Sequence, residues 1–139
     1  MSSSTSILPP LTNPLIRVNC FFTKSPRMSS TEFNTYWRET HGSLVVASKI
    51  FHDAKIQGYT QVHNAHNLNA EAAKMGSALL DFQWDACSEM YFRTWEDYRL
   101  FAESDEMREV LGPDGGKIMD TGRGVKVMVT LVDPVFSKL

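Results

Sequence analysis

Cysteine is scarce in this chain, long apolar runs are missing, and neither sign of charge dominates. Cys20 and Cys87 are its two cysteines. Each lies in an apolar or alternating run, so both are expected to be buried, reduced thiols on strands rather than a disulfide framework. No apolar run approaches the roughly 18 residues of a membrane helix. With 14 basic residues against 16 acidic and a net charge of −2, there is no basic stripe for nucleic acid and no polybasic segment for a membrane surface. The opening MSSSTSILPPLTNP has no basic stretch ahead of an apolar one, so it does not read as a signal peptide. Residues 1–14 are expected to form a flexible arm, residues 15–139 a single domain, and the protein is expected to be cytoplasmic. A chain of 139 residues, 42% hydrophobic and 22% charged, is long enough to bury a real core.

Familiar chemical motifs are also missing. GPDGG and TGRG lack the strand–turn–helix setting and the lysine of a phosphate cradle. There is no Gly-x-Ser-x-Gly elbow, and neither cysteine pairs with a histidine as a nucleophile. NAD, flavin and covalent chemistry are therefore not expected, and no cofactor is implied. His63 and His66 in HNAHN, taken with Asp85 and Glu89, invite a metal reading. Their spacing is not the helical i, i+4, no cysteine is near, and no carboxylate completes a ligand set, so no metal is expected.

What is present is a clear alternation of strand and helix signals. LIRVNCFFT, residues 15–23, is a strand with Ile16, Val18, Cys20 and Phe22 on one face. A helix starts near residue 30, where Ser29 and Glu32 form a capping box and Met28 and Phe33 a hydrophobic staple. It is expected to run to about Ile50, with a bend at Gly42. Residues 54–63 form a second strand. The polar, Ala-rich segment that follows is an excursion that could cover a site. Residues 87–94 form a third strand. TWEDYRLFAES is a second long helix, 105–111 a short one, and GPDGG a break, with a further helical turn near 117–120. Residues 124–132 form the last strand, apolar on both faces. The order is β-α-β-β-α-β, an α+β ferredoxin-like arrangement with a four-stranded antiparallel sheet and helices on one face. The uncovered apolar face needs a partner, and a homodimer is the economical answer.

One stretch carries an anomaly. In MSSTEFNTYWRETHGSLV, residues 28–45, Phe33, Trp37 and His41 fall four apart and share one helical face. An ionisable ring at the end of an aromatic stripe is either a core histidine satisfied by a backbone carbonyl or a group aimed into a pocket.

The same stretch, read from KSPR onward, resembles the signature of the EthD-like family of the dimeric α+β barrel superfamily. The resemblance rests on Met28-Ser29, Glu32-Phe33, Tyr36-Trp37 and His41-Gly42, and continues through WDACSEMYFRTWEDYRLFAESDEMREVLGPD. The family commonly has Asp-Gly ahead of the third strand, where this chain has Asp85-Ala86. Such a resemblance implies a dimeric barrel with a pocket between sheet and helices. It also suggests fungal polyketide-tailoring members, hence cofactor-independent decarboxylation, dehydration or cyclisation of an aromatic polyketide. A cofactor-free anthrone-type monooxygenase and a non-catalytic small-molecule carrier are the alternatives.

On this reading His41 is the principal acid–base residue. Tyr59 is a candidate donor to a substrate carbonyl, and His52 a residue at the pocket mouth. Phe22, Phe33, Tyr36, Trp37, Trp84 and Tyr91 offer aromatic walls, with Asp85 beside them. Glu89 is an acid if buried alone, and a structural ion-pair partner if it meets Arg17 or Lys126.

Overall fold

A computed structural model describes residues 14–139. The expected arm lies outside the described residues, apart from Pro14. Four strands, β1 (Leu15–Phe22), β2 (Gly58–His63), β3 (Ala86–Phe92) and β4 (Lys126–Val132), form one sheet. Its order is β2-β3-β1-β4, and each neighbouring pair is antiparallel. This is the expected ferredoxin-like topology.

The capping box forms as expected. Ser29 Oγ accepts from the Glu32 amide at 3.1 Å, and Glu32 Oε1 accepts from the Ser29 amide at 2.8 Å. The expected continuous helix does not follow. Helix α1 (Ser30–Thr35) passes into a π-helical turn, Tyr36–His41, and then into α2 (Gly42–Ala47). Ser48 is extended and caps a separate α3 (Lys49–Asp53) by accepting from the Phe51 amide. The break follows from Ser48, whose side chain competes for backbone donors. At Gly42, which keeps helical dihedrals (φ −58°, ψ −43°), the chain approaches β2 closely, since a Cβ there would lie 3.2 Å from Gln61 Nε2.

Beyond β2, α4 (His66–Lys74) is the helical part of the excursion, and α5 (Trp95–Ala102) follows β3. A second π-helical turn, Met107–Leu111, leads into α6 (Gly112–Gly116). GPDGG is thus a helical turn, not a break: it continues the π-helical turn without interruption, with Pro113 at its second residue. The turn expected near 117–120 is instead a bridge, Met119 pairing with Lys24.

One sheet face carries Val18, Phe22, Ala86 and Phe92, buried beneath Trp37, Val45, Phe101, Leu111 and Ile118. The other carries Arg17, Asn19, Phe21, Glu89 and Tyr91, paired across β1 and β3. The excursion covers this second face in part. Phe82 and Trp84 meet the Phe21 ring edge-on at 5.3 and 5.2 Å.

Candidate functional site

A cavity of about 390 Å³ lies between the first sheet face and the helices, lined largely by apolar side chains. Val18, Cys20 and Phe22 of β1 and Ser88, Met90 and Phe92 of β3 form its floor. Trp37, His41 and Val45 descend from the helix side, Tyr59 from β2, and Gly112 and Gly115 from α6.

His41 is the last residue of the first π-helical turn, whose wider i→i+5 bonding closes from the Gly42 amide to the Trp37 carbonyl. Trp37 and His41 line the cavity, whereas Phe33 is buried in the core with Phe22, Trp37 and Ile118. Phe33 is therefore a core residue and not a cavity wall.

The His41 ring is held at one nitrogen. Nδ1 lies 2.8 Å from Asp114 Oδ2, and the Tyr36 hydroxyl donates to Asp114 Oδ1 at 2.7 Å. Burial alone would push the Asp114 carboxyl up, but the hydrogen bonds from Tyr36 and His41 and the charges of His41 and Lys117 outweigh it. Its pKa lies below the usual value. A carboxylate can only accept, so His41 Nδ1 carries the proton and donates. When the ring is neutral, its lone pair is then at Nε2. Among the described residues nothing hydrogen-bonds that nitrogen, and the Cε1–Nε2 edge lies beside Gly115 on the cavity wall. A base oriented by a carboxylate at its far nitrogen is a recurrent catalytic arrangement.

Tyr59 reaches the same cavity. Its oxygen accepts from Gln61 Nε2 at 2.9 Å, which leaves its own proton to give. Burial raises its pKa, the Gln61 hydrogen bond opposing, so the phenol stays protonated as a donor. Gln61 Nε2 also donates to the Trp37 carbonyl at 2.8 Å, tying β2 to the π-helical turn.

The remaining expected residues go elsewhere. His52 is exposed on α3 and meets the Phe51 ring edge-on, and it does not line the cavity. Tyr36 orients Asp114 and does not line the cavity. Glu89 and Tyr91 belong to the other side of the sheet, because side chains alternate and Ser88 and Met90 line the cavity, while Trp84, ahead of β3, reaches that other side against Phe21. Glu89 accepts from Asn19 Nδ2 at 2.8 Å and from the Tyr91 hydroxyl at 3.1 Å, with Arg17 at 3.7 Å. This is the ion-paired alternative. Lys126 lies over the Phe82 ring instead. Asp85 accepts from the Lys24 amide at 2.8 Å and pairs with His66 at 3.1 Å, fastening strand ends. His63 packs edge-on against Trp37. Among the described residues, no three His, Cys, Asp or Glu side chains converge to hold a metal ion.

Asp114 is the residue that sequence reasoning missed. It sits between glycines in a stretch rich in turn signals, and its partnership with His41 spans 73 positions. The available clue was an acidic residue inside the segment that resembles the family.

The EthD domain model matches residues 25–122 of this chain. The chain belongs to the EthD family. An EthD family protein from Bacillus halodurans C-125 superposes with a TM-score of 0.55 at 16% identity, over 84% of this chain and 96% of that one. An EthD-like protein from Ralstonia eutropha JMP134 gives 0.53 at 12%, covering 91% and 97%. A dimeric ferredoxin-like protein of unknown function from Thermobifida fusca YX gives 0.51 at 9%, covering 89% and 94%. These likenesses show the ferredoxin-like fold. No curated protein matches the chain. Among the described residues no helix is long and apolar enough to cross a membrane.

Proposed function

We propose that this EthD-family protein is a cofactor-independent acid–base enzyme, a lyase that decarboxylates, dehydrates or cyclises an aromatic polyketide or similar polyketone. The observation that carries the reading is the His41–Asp114 pair, 2.8 Å long, with the opposite ring nitrogen at an apolar cavity. Nε2 takes a proton from carbon next to a substrate carbonyl, and the C–H electron pair becomes the enolate. Tyr59 donates a hydrogen bond to the enolate oxygen, the role electrostatic stabilisation requires where charge develops. Asp114 steadies the imidazolium that forms. The imidazolium then returns its proton to a departing hydroxyl, which leaves as water, or to the product of ring closure. For a β-keto acid, Nε2 instead takes the carboxyl proton, CO2 leaves with the C–C electron pair becoming the enolate, and the imidazolium returns that proton to carbon. Apolar walls exclude water and favour a flat, uncharged substrate body.

A homodimer is part of this proposal. β4 exposes Val127, Met128 and Val129, apolar residues on both of its faces, and the T. fusca neighbour is described as dimeric. Light scattering at micromolar concentration should give twice the chain mass, and a strict monomer would count against it.

The test of function is purified protein incubated with an aromatic β-polyketone acid or an anthrone-type phenol, with and without oxygen. Product formed without oxygen supports the lyase. Strict oxygen dependence would make the protein a cofactor-free oxygenase, and tight binding without turnover would make it a carrier.

A further inference from the structure

Alternate residues of a strand share a face, and β2 sends Tyr59, Gln61 and His63 to the helix side. Gln61 has a hydrogen-bonding pattern that only one arrangement of protons satisfies. Its amide nitrogen meets the Trp37 carbonyl at 2.8 Å and the Tyr59 hydroxyl at 2.9 Å. A backbone carbonyl only accepts, so the nitrogen of the amide faces it and not the oxygen. The other N–H then points at Tyr59, and because an amide nitrogen does not accept, the phenol oxygen does. Among the described residues nothing accepts the proton of that phenol. Gly42 makes the arrangement possible. A Cβ there would stand 3.2 Å from Gln61 Nε2 and 3.2 Å from the Trp37 oxygen, tighter than ordinary contact, so a side chain would press on the amide where it meets the carbonyl. The same Trp37 carbonyl takes the Gly42 amide, the bond that closes the π-helical turn at His41. One nitrogen thus joins the strand that carries Tyr59 to the turn that carries His41.

We propose that Gln61 is a positioning residue, whose amide sets the Tyr59 hydroxyl to give its proton to a substrate carbonyl oxygen. This rests on the reading of Tyr59 as the donor to the developing enolate. A donor fixed in advance needs no reorientation as charge develops, which is what makes it effective. An acceptor in the place of the Gln61 nitrogen would take the proton that the enolate requires. Gln61→Glu makes that exchange at nearly constant size. An ionised carboxylate only accepts, so Tyr59 donates to it and has no proton left for the substrate.

The test reads the hydrogen bond itself, with fluorenone as a flat, uncharged aromatic ketone. Infrared difference spectra with an isotope-labelled carbonyl give the C=O stretch of the bound ketone, which drops in frequency when its oxygen accepts a hydrogen bond. Wild type should show the lowered band, and Tyr59→Phe should return it to its position in an apolar solvent. Gln61→Glu, folded and with the ketone bound, should return it too, although Tyr59 is intact. On the substrate found by the oxygen test, Gln61→Glu should lower kcat by about a hundredfold with KM little changed, as expected for the loss of one such donor. A band as low in Gln61→Glu as in wild type would overturn the proposal and leave Tyr59 as the donor. A wild-type protein that does not take up fluorenone, that leaves its band unshifted, or that shifts it no more than Tyr59→Phe does, removes Tyr59 as the donor and the proposal with it. Should the Glu variant not fold or not bind the ketone, Gln61→Leu decides. With neither donor nor acceptor beside it the phenol has no set orientation, so the band should broaden toward the unshifted position, and a full wild-type shift overturns the proposal. An active His41→Ala would sink the acid–base reading while leaving these spectra standing.

Discussion

The two faces of the sheet both carry ionisable side chains, yet they use them differently. On the face away from the helices Glu89 accepts from Asn19 and Tyr91 and lies 3.7 Å from Arg17, so its oxygens are already engaged. On the helix-covered face His41 is engaged at Nδ1 only, and its other nitrogen meets a cavity. Residue type does not separate a structural charge from a reactive one. The separation lies in how much hydrogen-bonding capacity remains once the fold has formed, and in whether that remainder faces open space.

The largest expected effect breaks the helix-side arrangement outright. His41→Ala should leave a folded dimer and lower turnover by at least about a hundredfold, since a general base contributes 10²–10⁴. His41→Gln should fare little better, because an amide cannot shuttle a proton. A folded Ala variant that keeps most of its activity would make His41 a core residue like Phe33. Steady-state turnover on the substrate found by the oxygen test, with circular dichroism as the folding control, decides it.

Asp114→Asn comes next. The amide would turn its NH2 to Nδ1 and leave the proton on Nε2, the wrong tautomer for a base. Turnover should fall by roughly tenfold or more, in kcat more than in KM. The same variant sharpens the pH dependence of stability. The Asp114 pKa is lowered in the folded protein, so its contribution is complete above the ordinary carboxyl value of about 4. That contribution is lost as pH falls through the lower folded value. Acid unfolding followed by tryptophan fluorescence should show wild type above Asp114→Asn at neutral pH and the two curves converging in acid. A constant gap down to the most acidic pH would show that Asp114 is not titrating as a partner of His41.

The strands and their order were legible because each carries alternation bounded by turn signals, although the second begins at Gly58 and not at residue 54. The start of α1 was legible because Ser29 and Glu32 act within four residues of each other. Local signals failed where the site depends on long-range contact. Regular spacing put Phe33, Trp37 and His41 on one wall, but Phe33 is taken up by the core and the π-helical turn that carries His41 has no marker in YWRETH. Asp114 was hidden because glycine and proline signal a turn and say nothing of what the turn will touch. Glu89, Tyr91 and Trp84 shared the aromatic and acidic character of a site and lay on the wrong side of the sheet. Alternation assigned Glu89 and Tyr91 to one face, and only the packing of helices shows which face holds the cavity.

A smaller effect concerns the strand that belongs to both faces. Val127 faces the helix side and Met128 the other, and both are exposed in the single chain. Val127→Lys with Met128→Lys should convert the proposed dimer to a monomer at micromolar concentration, read by light scattering. Because Val127 pairs with Cys20 of the cavity floor, turnover should fall several-fold while His41 stays in place. A double variant that remains dimeric would move the interface away from β4.

The smallest effect is expected at Glu89, and it is the sharpest control on the comparison. Glu89→Gln is nearly isosteric. Its carbonyl oxygen can still accept from Asn19, and its NH2 can donate to the Tyr91 oxygen once that hydroxyl rotates. What is lost is the charge facing Arg17, a partly exposed pair worth less than about 1 kcal/mol. Turnover should stay within about twofold of wild type, since no step of the proposed reaction uses this face. The substitution should still register locally. Burial, and then the Glu89 charge, hold the Tyr91 pKa above its ordinary value. Removing the charge should lower it, read by ultraviolet titration of the phenolate. If turnover instead collapses in a protein that is folded and dimeric, the reactive chemistry includes the face away from the helices, and the division drawn between the two faces is wrong.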